Sequence, residues 1–215
     1  VIHAAIKPDP DTGSIVTPIH QTATYVMEKV GKDKGYDYTR SANPTREIME
    51  DHLAALDNGK FGIAFASGMA AIDSSLKLLK SGDHVICSDD VYGGTYRLFD
   101  QLLVNYDLHF SFVDTSFPNE VEKAITPKTK MIWIETPTNP LLKITDLNAI
   151  SKIAKKNNLL FAVDSTFSTP VFLKPLDFGA DLVMHSTTKY ITGHSQLIGG
   201  ILITNKEDLA NKLKF

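Results

Sequence analysis

Two side chains with complementary chemistry follow two apolar segments of the sequence. Lys189 comes shortly after the apolar run 180–184, and Asp164 directly follows the apolar run 159–163. An amine can hold the aldehyde of pyridoxal phosphate, and a carboxylate can keep the ring nitrogen of that cofactor protonated. Each residue alone also fits a simpler interpretation, a solvated lysine and a turn-forming aspartate. Together, at the ends of two successive buried strands, they indicate one cofactor site.

Groups suited to a phosphate follow other apolar runs. Ser67, Gly68 and Met69 lie between an apolar run and a helical pattern, where glycine allows close approach and the helix start offers free N–H donors. Ser186 and Thr188 are two positions apart, so in an extended segment both hydroxyls face the same way. A plain chain reversal and a polar strand end are the alternatives for these two segments.

An aromatic ring and a guanidinium group extend this set. Tyr92 lies at another strand-to-helix turn, where its ring could stack on a planar heterocycle and its hydroxyl could handle a proton; core packing is the alternative. Tyr38 and Arg40 lie in a segment with little local structure, and an arginine fork suits a dianionic phosphate. Such a segment is a candidate to reach across a subunit interface, with a solvated loop arginine as the alternative.

Short apolar runs alternate with helical patterns along the chain. Strands are predicted at 61–66, 84–88, 109–113, 130–135, 159–164, 181–185 and 199–204. Helices are predicted from Pro44 to Gly59 with Asn43 as the cap, and near 69–80, 93–106, 118–125 and 145–157. This alternation predicts an α/β fold with a mostly parallel seven-stranded sheet covered by helices. Ligands of such sheets gather at the carboxyl ends of the strands, where the candidate residues fall.

The chain divides into an arm and a domain. Residues 1–42 carry many turn formers and little periodicity, which predicts an extended N-terminal arm, and residues 43–215 form the predicted cofactor-binding domain. The sequence begins at Val1 and stops at Phe215 inside an amphipathic stretch, 206–213, so we expect an incomplete chain.

Composition argues against several classes of protein. The formal net charge is −3 and no basic stripe is present, so a nucleic-acid partner is not expected. No apolar run approaches the ~18 residues of a membrane span, and no signal peptide opens the chain. The lone Cys87 fits a reducing, cytoplasmic location. There is no zinc-binding spacing, so no metal is expected, and Leu197 replaces the final glycine of a nucleophile elbow.

Five segments together resemble the Cys/Met-metabolism group of fold-type I pyridoxal-phosphate enzymes. They are 36–46, 66–71, 89–95, 134–140 and 186–195, and they span nearly the whole chain in the order typical of that group. The group includes cystathionine γ-synthase, cystathionine γ-lyase, cystathionine β-lyase, methionine γ-lyase and O-acetylhomoserine sulfhydrylases. The chain is most similar to the first two, and the resemblance implies the large domain of fold type I, with a C-terminal small domain absent.

The resemblance implies a role for each candidate residue. Lys189 would bind pyridoxal 5′-phosphate covalently and then move protons, Asp164 would pair with the ring nitrogen, and Tyr92 would stack on the ring and take part in catalysis. The phosphate would be held by Ser67, Gly68, Met69, Ser186 and Thr188, while Thr166 would contact the cofactor and Glu135 and Asn139 would line the substrate site. Tyr38 and Arg40 would reach the neighbouring subunit's phosphate in a homodimer, within a homotetramer.

The implied reaction makes or breaks carbon–sulfur bonds by γ-elimination or γ-replacement. Its substrates would be small amino acids such as cystathionine, O-acylhomoserine, cysteine or homocysteine. The reactions of the other members of the group are alternative functions. A non-enzymatic alternative is that the chain is an incomplete fragment that only binds the cofactor or assembles. Ser165, Thr187 and Gln196 depart from residues common in the group, and Gly94 stands where methionine γ-lyases carry a cysteine.

Overall fold

The protein is described by a computed structural model that covers residues 1–214. Within that range the chain forms one seven-stranded sheet with strand order β1-β7-β6-β5-β4-β2-β3. The strands are β1 Phe61–Phe65, β2 His84–Ser88, β3 His109–Val113, β4 Thr129–Glu135, β5 Leu160–Asp164, β6 Leu182–His185 and β7 Gly200–Thr204. The predicted strands are thereby confirmed, with ends that differ by one residue at most.

Helices connect most of these strands. The α-helices are α1 Pro44–Leu56, α2 Gly68–Leu76, α3 Gly93–Tyr96, α4 Pro118–Lys123, α5 Leu147–Lys156, α6 Thr169–Phe172 and α7 Glu207–Lys214. After α3 the chain continues as a π-helical segment, Arg97–Leu102, and a 3-10 turn, Leu103–Tyr106. The predicted helix near 93–106 is therefore helical throughout but not a regular α-helix. Asp107 ends it with a left-handed φ of 62°.

The sheet is mostly parallel, as predicted. Strands β2, β3, β4, β5 and β6 pair in parallel, whereas β7 pairs antiparallel with both β1 and β6. Parallel strands require a long crossover, but an antiparallel neighbour can follow a short return. The segment between β6 and β7 makes such a return without a helix, and it carries Lys189.

Helices cover both faces of the sheet and create two apolar cores. One core packs α1, α4 and α5 against alternate residues such as Ile134, Val163 and Val183. The other packs α2 and the helical segment after Tyr92 against the opposite face, including Trp133 and Met184. Because successive strand residues point to opposite faces, strands covered on both sides are apolar throughout.

Helix α1 starts where the sequence predicts, but it ends earlier than predicted. The Asn43 side chain accepts a hydrogen bond from the Thr45 N–H at 2.9 Å, and Pro44 occupies the first helical position. The helix ends at Leu56 rather than at Gly59, because Asn58 already adopts a left-handed φ of 58°. Asp57 thus becomes the C-terminal cap residue of α1.

Residues 1–42 contain isolated bridges rather than strands or helices. Thr24 pairs with Tyr38 and Lys29 with Lys32, and the His20 N–H donates to the Thr45 hydroxyl at 2.9 Å. The arm and domain boundary at residue 42 stays a prediction. Among residues 1–214, no helix has the length and apolar character needed to cross a membrane.

Candidate active site

A cavity of about 230 Å³ lies at the carboxyl-terminal edge of the sheet. Its walls come from the ends of β4, β5 and β6, from the segments that follow β1, β2, β4, β5 and β6, and from Ile198, two positions before β7. It is lined by Ser67, Gly68, Met69, Ile72, Tyr92, Glu135, Pro137, Asn139, Asp164, Thr166, Phe167, Met184, Ser186, Thr188, Lys189 and Ile198. Every candidate residue from the sequence except Tyr38 and Arg40 is in this set.

The turn before α2 forms one end of the cavity. The Ser67 hydroxyl accepts a hydrogen bond from the Ala70 N–H at 3.0 Å and so caps the helix. Gly68 packs so closely on Ser186 that an added Cβ would lie 2.9 Å from the Ser186 Cβ. Only glycine therefore lets the helix start and the Ser186 hydroxyl share this end of the cavity. Free N–H groups at a helix N-terminus and a nearby hydroxyl suit an anion.

A buried carboxylate lies at another wall of the cavity. Asp164 ends β5 and is 4% exposed, and its Oδ1 accepts a hydrogen bond from the Thr166 N–H at 3.0 Å. Burial raises the pKa of Asp164, and the hydrogen bonds from Thr166 together with the charge of His185 oppose that rise. Asp164 forms no salt bridge within residues 1–214. A protonated ring nitrogen would supply the cation that this buried carboxylate lacks.

A second carboxylate lies beside the first. Glu135 ends β4 and pairs in register with Asp164, and its Oε2 accepts a hydrogen bond from the Tyr92 N–H at 2.9 Å. Burial, and then the nearby negative charge of Asp164, raise the pKa of Glu135 to about 9. The Glu135 carboxyl therefore holds a proton at neutral pH and can donate a hydrogen bond into the cavity.

The position of the Tyr92 ring depends on a glycine. An added Cβ on Gly94 would lie 2.3 Å from Tyr92 Cε1 and 2.8 Å from the Met69 Sδ. Gly94 thus makes room for the aromatic ring against the start of α2. The ring is 42% exposed and is available to stack on a planar group.

The return between β6 and β7 carries the amine. Lys189 is exposed and lines the cavity, and its carbonyl accepts a hydrogen bond from the Gly193 N–H at 2.8 Å. The Thr188 hydroxyl donates to the Gly199 carbonyl at 3.1 Å and accepts from the Gly199 N–H at 3.0 Å. These two bonds of Thr188 hold the return in place. At its start, the Ser186 N–H donates a hydrogen bond to the Thr166 hydroxyl at 2.9 Å.

Tyr38 and Arg40 lie away from this cavity. They line a separate shallow depression together with residues of the arm and α1. The Arg40 guanidinium lies 5.0 Å from the centre of the Tyr38 ring, and both side chains are exposed. Within a single chain the two residues do not reach the phosphate turn.

Five apolar or ring-bearing wall residues escaped the sequence reasoning. They are Ile72, Pro137, Phe167, Met184 and Ile198. Pro137 and Phe167 lie one or two positions from chosen residues, so proximity to a motif was a usable signal. Ile198 carried no signal, because its place beside the cavity depends on the antiparallel return of β7.

The cavity chemistry fits a phosphorylated aromatic aldehyde. Helix N–H groups and a hydroxyl lie at one end, and a buried carboxylate, an aromatic ring and an amine lie around the remainder. Residues 1–215 match the model of a protein family that is described as "Cys/Met metabolism PLP-dependent enzyme". The chain belongs to this family. Its cofactor is pyridoxal 5′-phosphate, and the mixed sheet with helices on both faces is the fold-type I architecture.

Relatives of the chain within the family carry different names. The chain is 52% identical over 215 residues to a cystathionine gamma-lyase of Bacillus subtilis, covering 100% of the chain and 57% of the relative. It is 50% identical over 217 residues to a cystathionine beta-lyase of Coxiella burnetii, covering 100% and 56% respectively. The chain spans a little over half the length of these relatives.

A solved structure of a relative has the same fold. The crystal structure of metB from Corynebacterium glutamicum superposes with a TM-score of 0.98 at 46% identity, and the match covers 100% of this chain and 56% of the other. Family membership and this likeness confirm the fold class and the cofactor predicted from the sequence. The individual roles of the site residues stay predictions.

Proposed function

We propose that the protein is a pyridoxal-phosphate-dependent transsulfuration enzyme. It would make or break carbon–sulfur bonds of cystathionine or a related sulfur amino acid by γ-elimination or γ-replacement. The observation that carries the proposal is the single cavity that joins Lys189, Asp164 and Tyr92 to the helix start at Gly68. Those four features supply an amine, a buried carboxylate, a stacking ring and an anion site within one space.

The cofactor would be held by groups on four segments of the chain. The N–H groups at the start of α2 and the Ser186 hydroxyl would bind the phosphate, while Thr188 would hold the return that presents Lys189. Asp164 would hold the proton on the ring nitrogen, and Thr166 would fix the Asp164 carboxylate through its N–H. Tyr92 would stack on the ring and exchange a proton through its hydroxyl.

The chemistry divides between cofactor and chain. When bound, pyridoxal phosphate supplies an electron sink that stabilises negative charge on a substrate carbon. Lys189 would hold the cofactor aldehyde and, once an amino-acid substrate displaces it, carry a proton between substrate carbons. Glu135 and Asn139 would face the substrate from the β4 side, where the protonated Glu135 can donate a hydrogen bond.

The carbon–sulfur bond on which the enzyme acts is either at the γ or at the β carbon of the substrate. Relatives at 52% and 50% identity are named a gamma-lyase and a beta-lyase, so overall similarity favours neither strongly. We favour γ-chemistry because the segments 92–99 and 133–136 resemble γ-lyases and γ-synthases most. β-Lyase activity is the alternative that the second relative supports.

Assembly and location belong to the proposal as well. Tyr38 and Arg40 are exposed and remote from the cavity of their own chain, which supports a homodimer or homotetramer in which they complete the neighbouring site. The single Cys87 is buried as a free thiol, which suits a cytoplasmic protein.

Cofactor binding by Lys189 can be tested by absorption. The complete protein, supplied with pyridoxal phosphate and dialysed, is expected to keep a visible absorption band that Lys189→Ala loses. Lys206→Ala is the matched control, because Lys206 pairs with Asp181 at 2.7 Å at the other edge of the sheet. A colourless wild-type protein, or a Lys189→Ala variant with an unchanged band, would contradict the proposal.

Product analysis decides the reaction. Incubation of the complete protein with cystathionine is expected to release cysteine and a ketoacid, the products of γ-cleavage. Homocysteine with pyruvate would instead identify a β-lyase, and formation of cystathionine from an activated homoserine and cysteine would identify a γ-synthase. Absence of turnover with each of these substrates in the coloured protein would overturn the transsulfuration proposal while leaving cofactor binding intact.

A further inference from the structure

A buried histidine–aspartate pair lies directly behind the candidate active site. The His185 Nε2 and the Asp57 Oδ2 are 2.6 Å apart, and both side chains are 0% exposed. The His185 Nδ1 and the Asp57 Oδ1 have no hydrogen-bond partner among the described residues. Neither residue was singled out from the sequence, since Asp57 lies 128 positions before His185.

Burial of this pair is costly for the folded state. Asp57 is the C-terminal cap residue of α1, where the helix dipole disfavours a negative charge, and no basic residue lies in the last turn of α1. Taking an imidazole and a carboxyl group out of water is unfavourable, and the two atoms without a hydrogen-bond partner add to that cost. Such a pair contributes little to the stability of the fold. A reason for its presence must therefore be sought in what it lies next to.

His185 connects this pair to the cofactor site. It lies between Met184 and Ser186, which both line the cavity, so the alternation of a strand points His185 to the opposite face of the sheet, toward Asp57. Met184 pairs in register with Asp164 on the neighbouring strand. The His185 ring therefore lies under the strand ends that carry Asp164 and Ser186.

The charge of His185 acts on Asp164. Burial works against ionisation of Asp164, and the positive charge of His185 works in its favour. The neighbouring Glu135 carboxyl would make ionisation of Asp164 harder still if Glu135 were also charged. His185 and the hydrogen bonds from Thr166 are thus the groups of this chain that favour the anionic form of Asp164 against the effect of burial.

We propose that His185, anchored by Asp57, is a positioning residue that keeps Asp164 charged and Ser186 in place for the cofactor. Asp57 fixes the His185 ring from α1, and through it fixes the end of β6. The ligand is the phosphorylated pyridine ring of the proposed function, and the inference rests on that function. The pair contacts neither cofactor nor substrate, because it acts from the opposite face of the sheet.

Variants of both partners test the inference. His185→Gln and Asp57→Asn in the complete protein are expected to raise the dissociation constant for pyridoxal phosphate about tenfold, because the anionic form of Asp164 then loses the support of His185. Asp57→Glu keeps a carboxylate and is expected to recover most of the affinity. The matched control is His84→Gln, since His84 is buried at the amino-terminal ends of the strands and its ring nitrogens bond to the Thr129 and Ser111 hydroxyls.

The outcomes separate this inference from the proposed function. Folded His185→Gln and Asp57→Asn variants that bind the cofactor with wild-type affinity would overturn the inference alone. Equal losses in His84→Gln would also overturn it, because the effect would then belong to any buried histidine. A wild-type protein that takes up no pyridoxal phosphate would overturn the proposed function and this inference with it.

A measurement on the wild-type protein covers variants that fail to fold. With ¹⁵N-labelled histidine, the ring nitrogen signals of His185 are expected to shift on addition of pyridoxal phosphate, because Asp164 then faces a ring cation. The His84 signals are expected to stay unchanged. An unmoved His185 signal in a protein that has turned coloured would refute the coupling between the pair and the cofactor site.

Discussion

At the residue scale, the ends of β4 and β5 place two acidic side chains next to each other. Glu135 and Asp164 pair in register and are 5% and 4% exposed. Burial and the repulsion between the two carboxylates make it unfavourable for both groups to ionise. The carboxyl group of Glu135 stays protonated and suits a donor, whereas Asp164 has Thr166 and His185 to support its charge.

The raised pKa of Glu135 predicts a pH dependence of stability. The pKa rises from 4.5 to about 9, so between these values the folded protein holds a proton that the unfolded chain has released. The free energy of unfolding of the cofactor-free protein should therefore fall as pH rises through this window. Glu135→Gln is expected to reduce that slope by at most about 1.4 kcal/mol per pH unit, as measured by urea unfolding from pH 5 to 8.

The control for this series is an exposed carboxylate. Glu120 on α4 pairs with Lys123 at 2.8 Å and is 45% exposed, so Glu120→Gln should leave the slope close to that of the wild type. A Glu135→Gln variant whose stability follows the wild-type pH profile would contradict the protonated state of Glu135.

A single methyl group should displace the Tyr92 ring. In Gly94→Ala the new Cβ would lie 2.3 Å from Tyr92 Cε1, so the ring would have to leave its position beside the start of α2. We expect the affinity for pyridoxal phosphate to fall about fivefold, since a stacking contact contributes on the order of 1 kcal/mol beyond its buried area. Fluorescence or absorption titration measures the affinity.

The adjacent glycine gives a matched control. In Gly93→Ala the nearest atom to the new Cβ is Arg97 Nη1 at 3.5 Å, an ordinary contact. Equal affinities of the Gly94→Ala and Gly93→Ala variants would show that the Tyr92 ring does not contribute to binding.

At the element scale, two loops at the edge of the sheet are tied together by side chains. The Asp90 carboxylate, just before Tyr92, accepts hydrogen bonds from the Thr138 hydroxyl and from the Leu141 N–H. The Lys143 ammonium bridges Asp89 at 2.9 Å and Asp114 at 2.8 Å. These side chains therefore link the loop after β2 to the loop after β4 as one unit, which positions the Tyr92 segment relative to Asn139.

Removal of one hydroxyl should loosen this unit. Thr138 is 1% exposed, so Thr138→Val removes one hydrogen bond to Asp90, leaves the Lys143 N–H without its acceptor and should cost about 1–3 kcal/mol of stability. We expect faster hydrogen exchange at 138–143 and a weaker affinity for the cofactor. The control is Ser81→Ala, which removes an exposed hydroxyl bond to Asp107 of 2.8 Å at the opposite edge.

Two outcomes would contradict the linkage of the two loops through Thr138. If Thr138→Val loses stability but keeps its exchange rates at 138–143 and its cofactor affinity, the two loops hold their positions independently. If Ser81→Ala changes cofactor affinity to the same extent, the effect reflects general destabilisation.

At the scale of the whole molecule, the cavity and the predicted arm residues lie apart in a single chain. Lys189, Asp164, Tyr92 and the helix start at Gly68 share a cavity, while Arg40 lies in a different depression of the same chain. Symmetric dimers allow each chain to complete the site of the other. The proposed assembly therefore makes activity a property of two chains.

Mixed dimers test this sharing of residues. Arg40→Ala and Lys189→Ala should each be strongly impaired alone, but refolding the two proteins together should restore activity to about one quarter of wild type, because half of the dimers then hold one intact site. Activity assays before and after mixing measure the recovery. No recovery, together with demonstrated exchange of subunits, would place Arg40 in the site of its own chain.

The sequence predicted the strands well because their apolar runs are strong local signals. It predicted the site residues as a group because parallel strands end at one edge, so Ser67, Tyr92, Asp164 and Lys189 had to converge there. Helix ends were harder: α1 stops before Gly59 because of the left-handed backbone at Asn58, a feature without a distinct pattern.

The sequence by itself determined the family, the cofactor and the residues that follow each strand, since these depend on short motifs and on the period of apolar residues. Only the tertiary structure decided the antiparallel return of β7, the separation of Arg40 from the cavity and the contact of Asp57 with His185. The physical reason is the separation along the sequence over which each kind of signal acts. Patterns report which face of an element is buried, whereas a contact between residues 128 positions apart depends on how the packed elements meet.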